Sequence, residues 1–144
     1  MAFTLLGGDT LDSNVVANAA KGTNVTLYVS TFYQEGANAE FDESFRKWLN
    51  ENPEMLTNNG GNDMIAAVSI MGYDAYYVAL EALKAAGSTA PADVMAALPS
   101  VVYDGVSGHI EFDEKGDAKR DSAVIKTGNT ETGEWEFVVE QKVE

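Results

Sequence analysis

Phe3–Ser30 reads FTLLGGDTLDSNVVANAAKGTNVTLYVS, and the order of patterns within it decides the fold. A short apolar run, Phe3–Leu6, leads at once into Gly7-Gly8-Asp9-Thr10. Asp12 or Ser13 can cap a helix that runs to about Lys21. Val15, Val16, Ala19 and Ala20 form its expected inward side, and Gly22 is a good stop. Val25, Leu27 and Val29 then alternate with Thr26, Tyr28 and Ser30, which is the period of a strand. Strand, glycine turn, helix and strand make a βαβ unit. That unit implies a parallel sheet and an α/β fold.

Downstream, Asn38 can cap an amphipathic helix whose apolar stripe is Phe41, Phe45, Trp48 and Leu49. Asp42–Arg46 and Glu43–Lys47 are spaced as helix-stabilising pairs, and Pro53 ends the element. Asn58–Asn62 reads as a flexible turn. Asp63–Ala86 is the longest glycine-poor apolar run. Met64, Val68, Met71, Ala75, Val78 and Ala82 form one helical row, and Ile65, Tyr76, Leu80 and Leu83 a second. Two rows predict burial on more than one side, with Asp74, Tyr77, Glu81 and Lys84 as a narrow polar stripe. Such a helix is about 35 Å long. Gly72 lies in its interior, at a cost of roughly 1 kcal/mol relative to alanine. Pro91 opens a short helix over Ala92–Leu98 that Pro99 ends. The last third changes to strands: Val106, Ile110 and Phe112, then Ala123–Lys126, then Trp135, Phe137 and Val139 alternating with Glu136, Val138 and Glu140. Tight turns at Glu114–Asp117 and Gly128–Gly133 separate them.

The 144 residues are one domain's worth of chain, with a net charge of −14 and no cysteine. A polyanion without a basic patch is not expected to bind nucleic acid or an anionic membrane surface. The absence of cysteine removes disulfides and thiolate chemistry. With one histidine, His109, on a polar strand face and no Gly-x-Ser-x-Gly elbow, no catalytic set is visible. No metal or cofactor is expected, and the chain reads as a non-enzyme. No run approaches the ~18 apolar residues of a membrane span, and no signal peptide opens the sequence. A chain that begins almost directly on a core strand is expected to be cut from something longer.

Gly7-Gly8-Asp9-Thr10 lies where the carboxyl end of a strand meets a helix start, the place where open α/β sheets bind ligands. Asp9 argues against a phosphate and suits a cationic group such as an ammonium. The same residues also serve as an ordinary helix-capping turn. Phe32 and Tyr33 read equally well as a ligand wall or as edge packing. The Asp113–Asp117 run has acidic residues around a glycine but lacks the ligand alternation of a calcium loop, so it reads as a turn.

Four segments together resemble the C-terminal part of the type I periplasmic binding proteins, specifically the branched-chain amino-acid (Leu/Ile/Val) binding proteins of ABC importers. They are the strand with GGDT (Gly7–Thr10), VTLYVSTFY (Val25–Tyr33), GYDAYYVALEALKAAGST (Gly72–Thr89) and GVSGHIEFDEKGDA (Gly105–Ala118). They occur in the family's order and cover nearly the whole chain.

The resemblance implies two α/β lobes that close over an amino acid by a hinge transition. It implies a parallel-sheet βαβ lobe with a hairpin-rich C-terminal part, incomplete relative to the two-lobe fold. Residues 1–144 would be a single C-terminal fragment. About 1–35 and 120–144 would belong to the C-terminal lobe, and the helices within about 60–100 to the N-terminal lobe. Asp9 would pair with the ligand's α-ammonium, Gly8 and Thr10 would shape the pocket, and Val68 would stand in the apolar wall. The implied partners are a small amino acid and the membrane subunits of an importer, and the implied location of the parent protein is extracytoplasmic. A different expectation is a rearranged or domain-swapped homo-oligomer that binds no ligand, because an isolated lobe exposes faces built to be covered.

Overall fold

The computed structural model describes residues 2–120 and 122–142. The chain divides into two compact units. One comprises residues 1–69 and 122–144, and the other residues 70–121.

The first unit opens with β1 (Phe3–Gly7), a single 3-10 turn over Asp9–Leu11, α1 (Asn14–Ala20) and β2 (Val25–Thr31). β1 and β2 pair in parallel, from Phe3 opposite Val25 to Gly7 opposite Val29, as the βαβ pattern requires. Ser13 caps α1 by accepting from the Val16 amide. The buried side of α1 is Asn14, Ala17 and Ala20 rather than the expected Val15, Val16, Ala19 and Ala20, and Val15 stands exposed. A helix of seven residues presents only two turns, and Asn14, Ala17 and Ala20, three apart, fall on one stripe of it. In β2 the inward set is the one the alternation predicts, with Leu27, Val29 and Thr31 buried. β1 differs from the reading of Phe3–Leu6 as a core strand. It is an edge strand, and Phe3, Leu5 and Leu6 are all exposed.

α2 (Ala39–Glu51) begins at Asn38, whose side chain accepts from the Phe41 amide at 3.0 Å. Phe41 and Leu49 are buried, while Trp48 is exposed. The expected Asp42–Arg46 pair does not form. Asp42 turns inward to the Tyr33 hydroxyl and the Gly36 amide, and Arg46 pairs with Glu35 at 3.0 Å. A buried carboxylate gains more from two donors than from one exposed guanidinium. Pro53 both follows α2 and opens a further short helix, α3 (Pro53–Asn58), which the sequence pattern does not predict. Gly60 and Gly61 then adopt positive φ.

The long helix, α4 (Ala67–Ala86), starts four residues later than Asp63, and its first residues lie in the first unit. Its buried positions are Ala67, Ile70, Asp74, Val78 and Ala82. They form one stripe at helical spacing, not two rows. Asp74 is therefore inside rather than on a polar stripe, and Val68, Tyr73 and Tyr76 are exposed. Gly72 is exposed too, with open space where a Cβ would stand.

The second unit continues with α5 (Pro91–Ala97), a 3-10 turn at Leu98–Ser100, and the antiparallel hairpin β3 (Tyr103–Gly105) and β4 (Gly108–Ile110). Val78, Ala82, Val101 and Ile110 make its core, with Val94, Leu98, Tyr103 and Phe112 packed around them. The Asp74 carboxylate accepts from the amides of Val106 and Ser107 at 2.9 and 2.7 Å, which fixes the hairpin turn. Gly105 is required there, because a Cβ would lie 2.5 Å from that carboxylate. His109 pairs with Asp104 on the exposed face of the hairpin.

The chain returns to the first unit as β5 (Ser122–Gly128) and β6 (Trp135–Lys142). Both join antiparallel, so the sheet is mixed, in the order β1-β2-β5-β6. A bulge shifts the β5–β6 register between Ile125 and Lys126, which pair with Val139 and Phe137. The extra residue breaks the expected alternation, and Phe137, Val138 and Val139 are all exposed.

Candidate functional site

The turn after β1 is set by local bonds. The Leu11 amide donates to the Gly8 carbonyl and the Asp12 amide to the Asp9 carbonyl, both at 3.0 Å. This one turn of 3-10 helix lifts Asp9 and Thr10 out of the line of the strand. Asp9 is half-buried and Gly8 and Thr10 are exposed. Among the described residues the Asp9 carboxylate makes no ion pair and accepts no side-chain hydrogen bond. Gly8 has an ordinary φ of −87°, and a Cβ there would meet nothing within 4 Å. Neither backbone conformation nor packing within this chain demands a glycine at that position. Val68 lies in the first turn of α4 and is 54% exposed. Asp9, Gly8 and Thr10 are thus neighbours in one turn, and Val68 is on a separate element of the same unit.

Directly behind Asp9 the character changes. Asp12 is 1% exposed and Lys126 is 2% exposed. The Lys126 ammonium donates to both Asp12 oxygens, at 3.2 and 3.1 Å. The Thr31 hydroxyl donates to Oδ2 at 2.7 Å and the Ala67 amide to the same oxygen at 3.3 Å. Burying one unpaired charge is prohibitive, and burying a pair is tolerable only when the remaining lone pairs are also satisfied. Here one carboxylate receives a cation, a hydroxyl and the first amide of α4. That amide is one of the orphan donors at a helix start, so Asp12 caps α4 from 55 positions away. Sequence reasoning missed this cluster. The register sets Lys126 opposite the buried Val29, a pairing between residues 97 positions apart that no local pattern displays.

A second polar region of this unit is a cavity of about 380 Å³ walled by Gln34, Glu35, Arg46, Asn62, Asp63 and Trp135, among others. The Glu35 carboxylate holds both Arg46 and the Ile65 amide. The Trp135 indole donates to the Ser13 carbonyl at 3.2 Å. None of Gly8, Asp9, Thr10 and Val68 lines this cavity. Tyr33, one of the two loop aromatics with an open reading, is buried. Its hydroxyl donates to Asp42 at 2.6 Å and accepts from the Asn38 amide, and burial pushes its pKa up. It packs and caps rather than presenting a ligand wall. Asp113 is a turn residue whose carboxylate accepts from the amides of Lys115 and Asp117, at 2.8 and 2.9 Å. No described helix is long and apolar enough to cross a membrane.

Residues 2–131 match the periplasmic binding protein family, and the chain belongs to it. The family is one of binding proteins. The fold is similar to that of a leucine binding protein from Thermotoga maritima, with 27% identity and a TM-score of 0.67. The match covers 96% of this chain and 37% of that one. It is also similar to an ABC transporter substrate-binding protein from Desulfitobacterium hafniense solved in complex with Leu, with 25% identity, a TM-score of 0.60, and coverage of 94% and 35%. The chain therefore spans a little over a third of the length of these relatives. No curated protein matches its sequence at a significant level.

Proposed function

We propose that this chain is a solute-binding part of an ABC importer's extracytoplasmic binding protein, and that its ligand is an amino acid of the branched-chain class. The observation that carries the reading is the Asp9 carboxylate, half-buried and unpaired in the turn at the carboxyl end of β1. A carboxylate so placed gains most from an incoming ammonium. The open space at Gly8 supports it, since an absent Cβ lets a ligand approach the backbone. Thr10 adds a hydroxyl beside Asp9, and Val68 supplies apolar surface for the ligand's side chain. One related protein is a leucine binding protein and the other was solved in complex with Leu, which supports the ligand class. In this reading the first unit's β1–β2 and β5–β6 segments correspond to the C-terminal lobe of the family fold. The second unit's helices correspond to its N-terminal lobe.

The test is a thermal-shift and calorimetric panel of the twenty amino acids. Leucine, isoleucine or valine is expected to raise the Tm through binding to the native state alone. Asp9→Ala is expected to abolish the shift while leaving the unliganded Tm near its original value. A flat panel sinks the reading for this chain.

The exposed edge strand β1 supports a second reading, a homo-oligomer formed by strand addition. Its five residues, Phe3–Gly7, carry no charge, and an uncharged edge is a template for pairing with another strand. Light scattering that returns a monomer across the concentration range removes it.

A further inference from the structure

The Asp12 cluster joins three things that are far apart in sequence. Its backbone closes the turn that carries Asp9, through the Asp12 amide on the Asp9 carbonyl. Its side chain holds the Ala67 amide, three residues before the chain passes into the second unit at Ile70. It also holds Lys126, a few residues after the chain returns at Ser122. Thr31, at the end of β2, completes the set. All of these atoms lie in the first unit and all four residues are buried. The outgoing and returning connections are therefore held by the same two side-chain oxygens, and the Asp9 turn is closed by the backbone amide of the same residue.

We infer that Asp12 is the positioning residue of the ligand turn, tying the Gly8–Leu11 segment to both connections, so that a displacement of either connection is felt at Asp9. The ligand part of this inference rests on the proposed role of Asp9, and the mechanical part does not. A carboxylate that served only to cap α4 could release Ala67 without consequence for the turn. A carboxylate that positions the turn could not, because the side chain and the turn-closing amide belong to one residue whose backbone the cluster immobilises. Polar networks of this kind respond as a unit.

The experiment is amide hydrogen exchange on the full chain, comparing the unaltered protein with Asp12→Asn and Thr31→Val. Asp12→Asn keeps the shape and withdraws the charge from Lys126. Thr31→Val withdraws one hydrogen bond and keeps the ion pair, so it retains the fold should Asp12→Asn lose it. In both, the amides of Leu11, residue 12 and Ala67 are expected to exchange together, at least tenfold faster in Asp12→Asn and severalfold faster in Thr31→Val. The Phe41 amide, held by Asn38 elsewhere in the first unit, and the amides of Val106 and Ser107, held by Asp74 in the other unit, should keep their protection and so show that both units are still folded. Faster exchange at Ala67 with unchanged Leu11 and residue 12 overturns the inference. If Asp12→Asn loosens every amide, the same comparison of Leu11, residue 12 and Ala67 in Thr31→Val decides. Leucine titration forms a separate arm. Where the unaltered chain binds leucine, Asp12→Asn is expected to raise Kd at least tenfold, and an unchanged Kd overturns the positioning role. Where the unaltered chain binds no amino acid, the ligand reading fails and the exchange data alone decide on Asp12.

Discussion

Asp12 and Asp74 are both aspartates with 1% exposure, one in each unit, and they are satisfied in opposite ways. Asp12 faces a buried ammonium, a hydroxyl and one amide. Asp74 faces two successive backbone amides of a hairpin turn. The first solution joins elements 19, 55 and 114 positions away, and the second spans 32 or 33. The contrast shows two ways to bury a carboxylate. A cation makes the carboxylate a long-range tie but leaves a second charge at risk. Backbone amides make it a local brace with no other charge to strand.

Removing the cation should break the first solution hardest. Lys126→Met leaves Asp12 buried beside an apolar chain and is expected to destabilise by about 3–5 kcal/mol, read by urea unfolding. A loss under about 1 kcal/mol would mean that the hydroxyl and amide alone satisfy Asp12. Asp74→Ala strands two amides instead of a charge, so the expected loss is smaller, about 1–3 kcal/mol. Asp74→Asn should recover part of it, since a carboxamide oxygen still accepts. Equal losses for Lys126→Met and Asp74→Ala would erase the distinction. Gly72→Ala tests the helix that carries Asp74 without touching the carboxylate. Open space at the Cβ and an interior helical position predict a gain of roughly 1 kcal/mol in stability. A loss would show that the exposed face of α4 is not free.

The smallest effect concerns an exposed carboxylate satisfied as Asp74 is. The amides of Asp117 and Lys115 hold the Asp113 pKa below the usual aspartate value. Its folded pKa is depressed, so its small contribution is present above the unfolded pKa and fades as pH falls through the folded one. An NMR titration of Asp113 with a midpoint at or above the ordinary aspartate value would contradict this.

These contrasts also explain what is legible in the sequence. The βαβ start is legible because strand alternation, glycine turn and Ser13 cap are each encoded within a few residues. β2 and the Asn38 cap of α2 follow the same local rules, and so does the turn that carries Asp9. Asp74 defeats the pattern because helical spacing assigns a charged residue to the solvent side unless its partners are known, and they lie in a turn 32 residues downstream. Asp12 looks like a local cap, while its side chain serves the start of a helix 55 positions on. β1 reads as apolar and therefore buried, but hydrophobicity does not say whether a covering layer exists. The start of α4 shifts from Asp63 to Ala67 because Glu35 and Asp12, both remote, take the Ile65 and Ala67 amides that a local cap would have taken.

The separation between Asp12 and Lys126 also sets an expected order for the folding of the chain. The second unit is one continuous stretch, so its contacts can form as soon as residues 70–121 exist. The first unit is interrupted by that stretch, and its central ion pair closes a loop of 114 positions. Loop-closure entropy grows slowly with length, by about 0.6 kcal/mol per doubling, but it must be met before the contact returns anything. Until β5 arrives, Asp12 has no cation and the start of α4 has no secure cap.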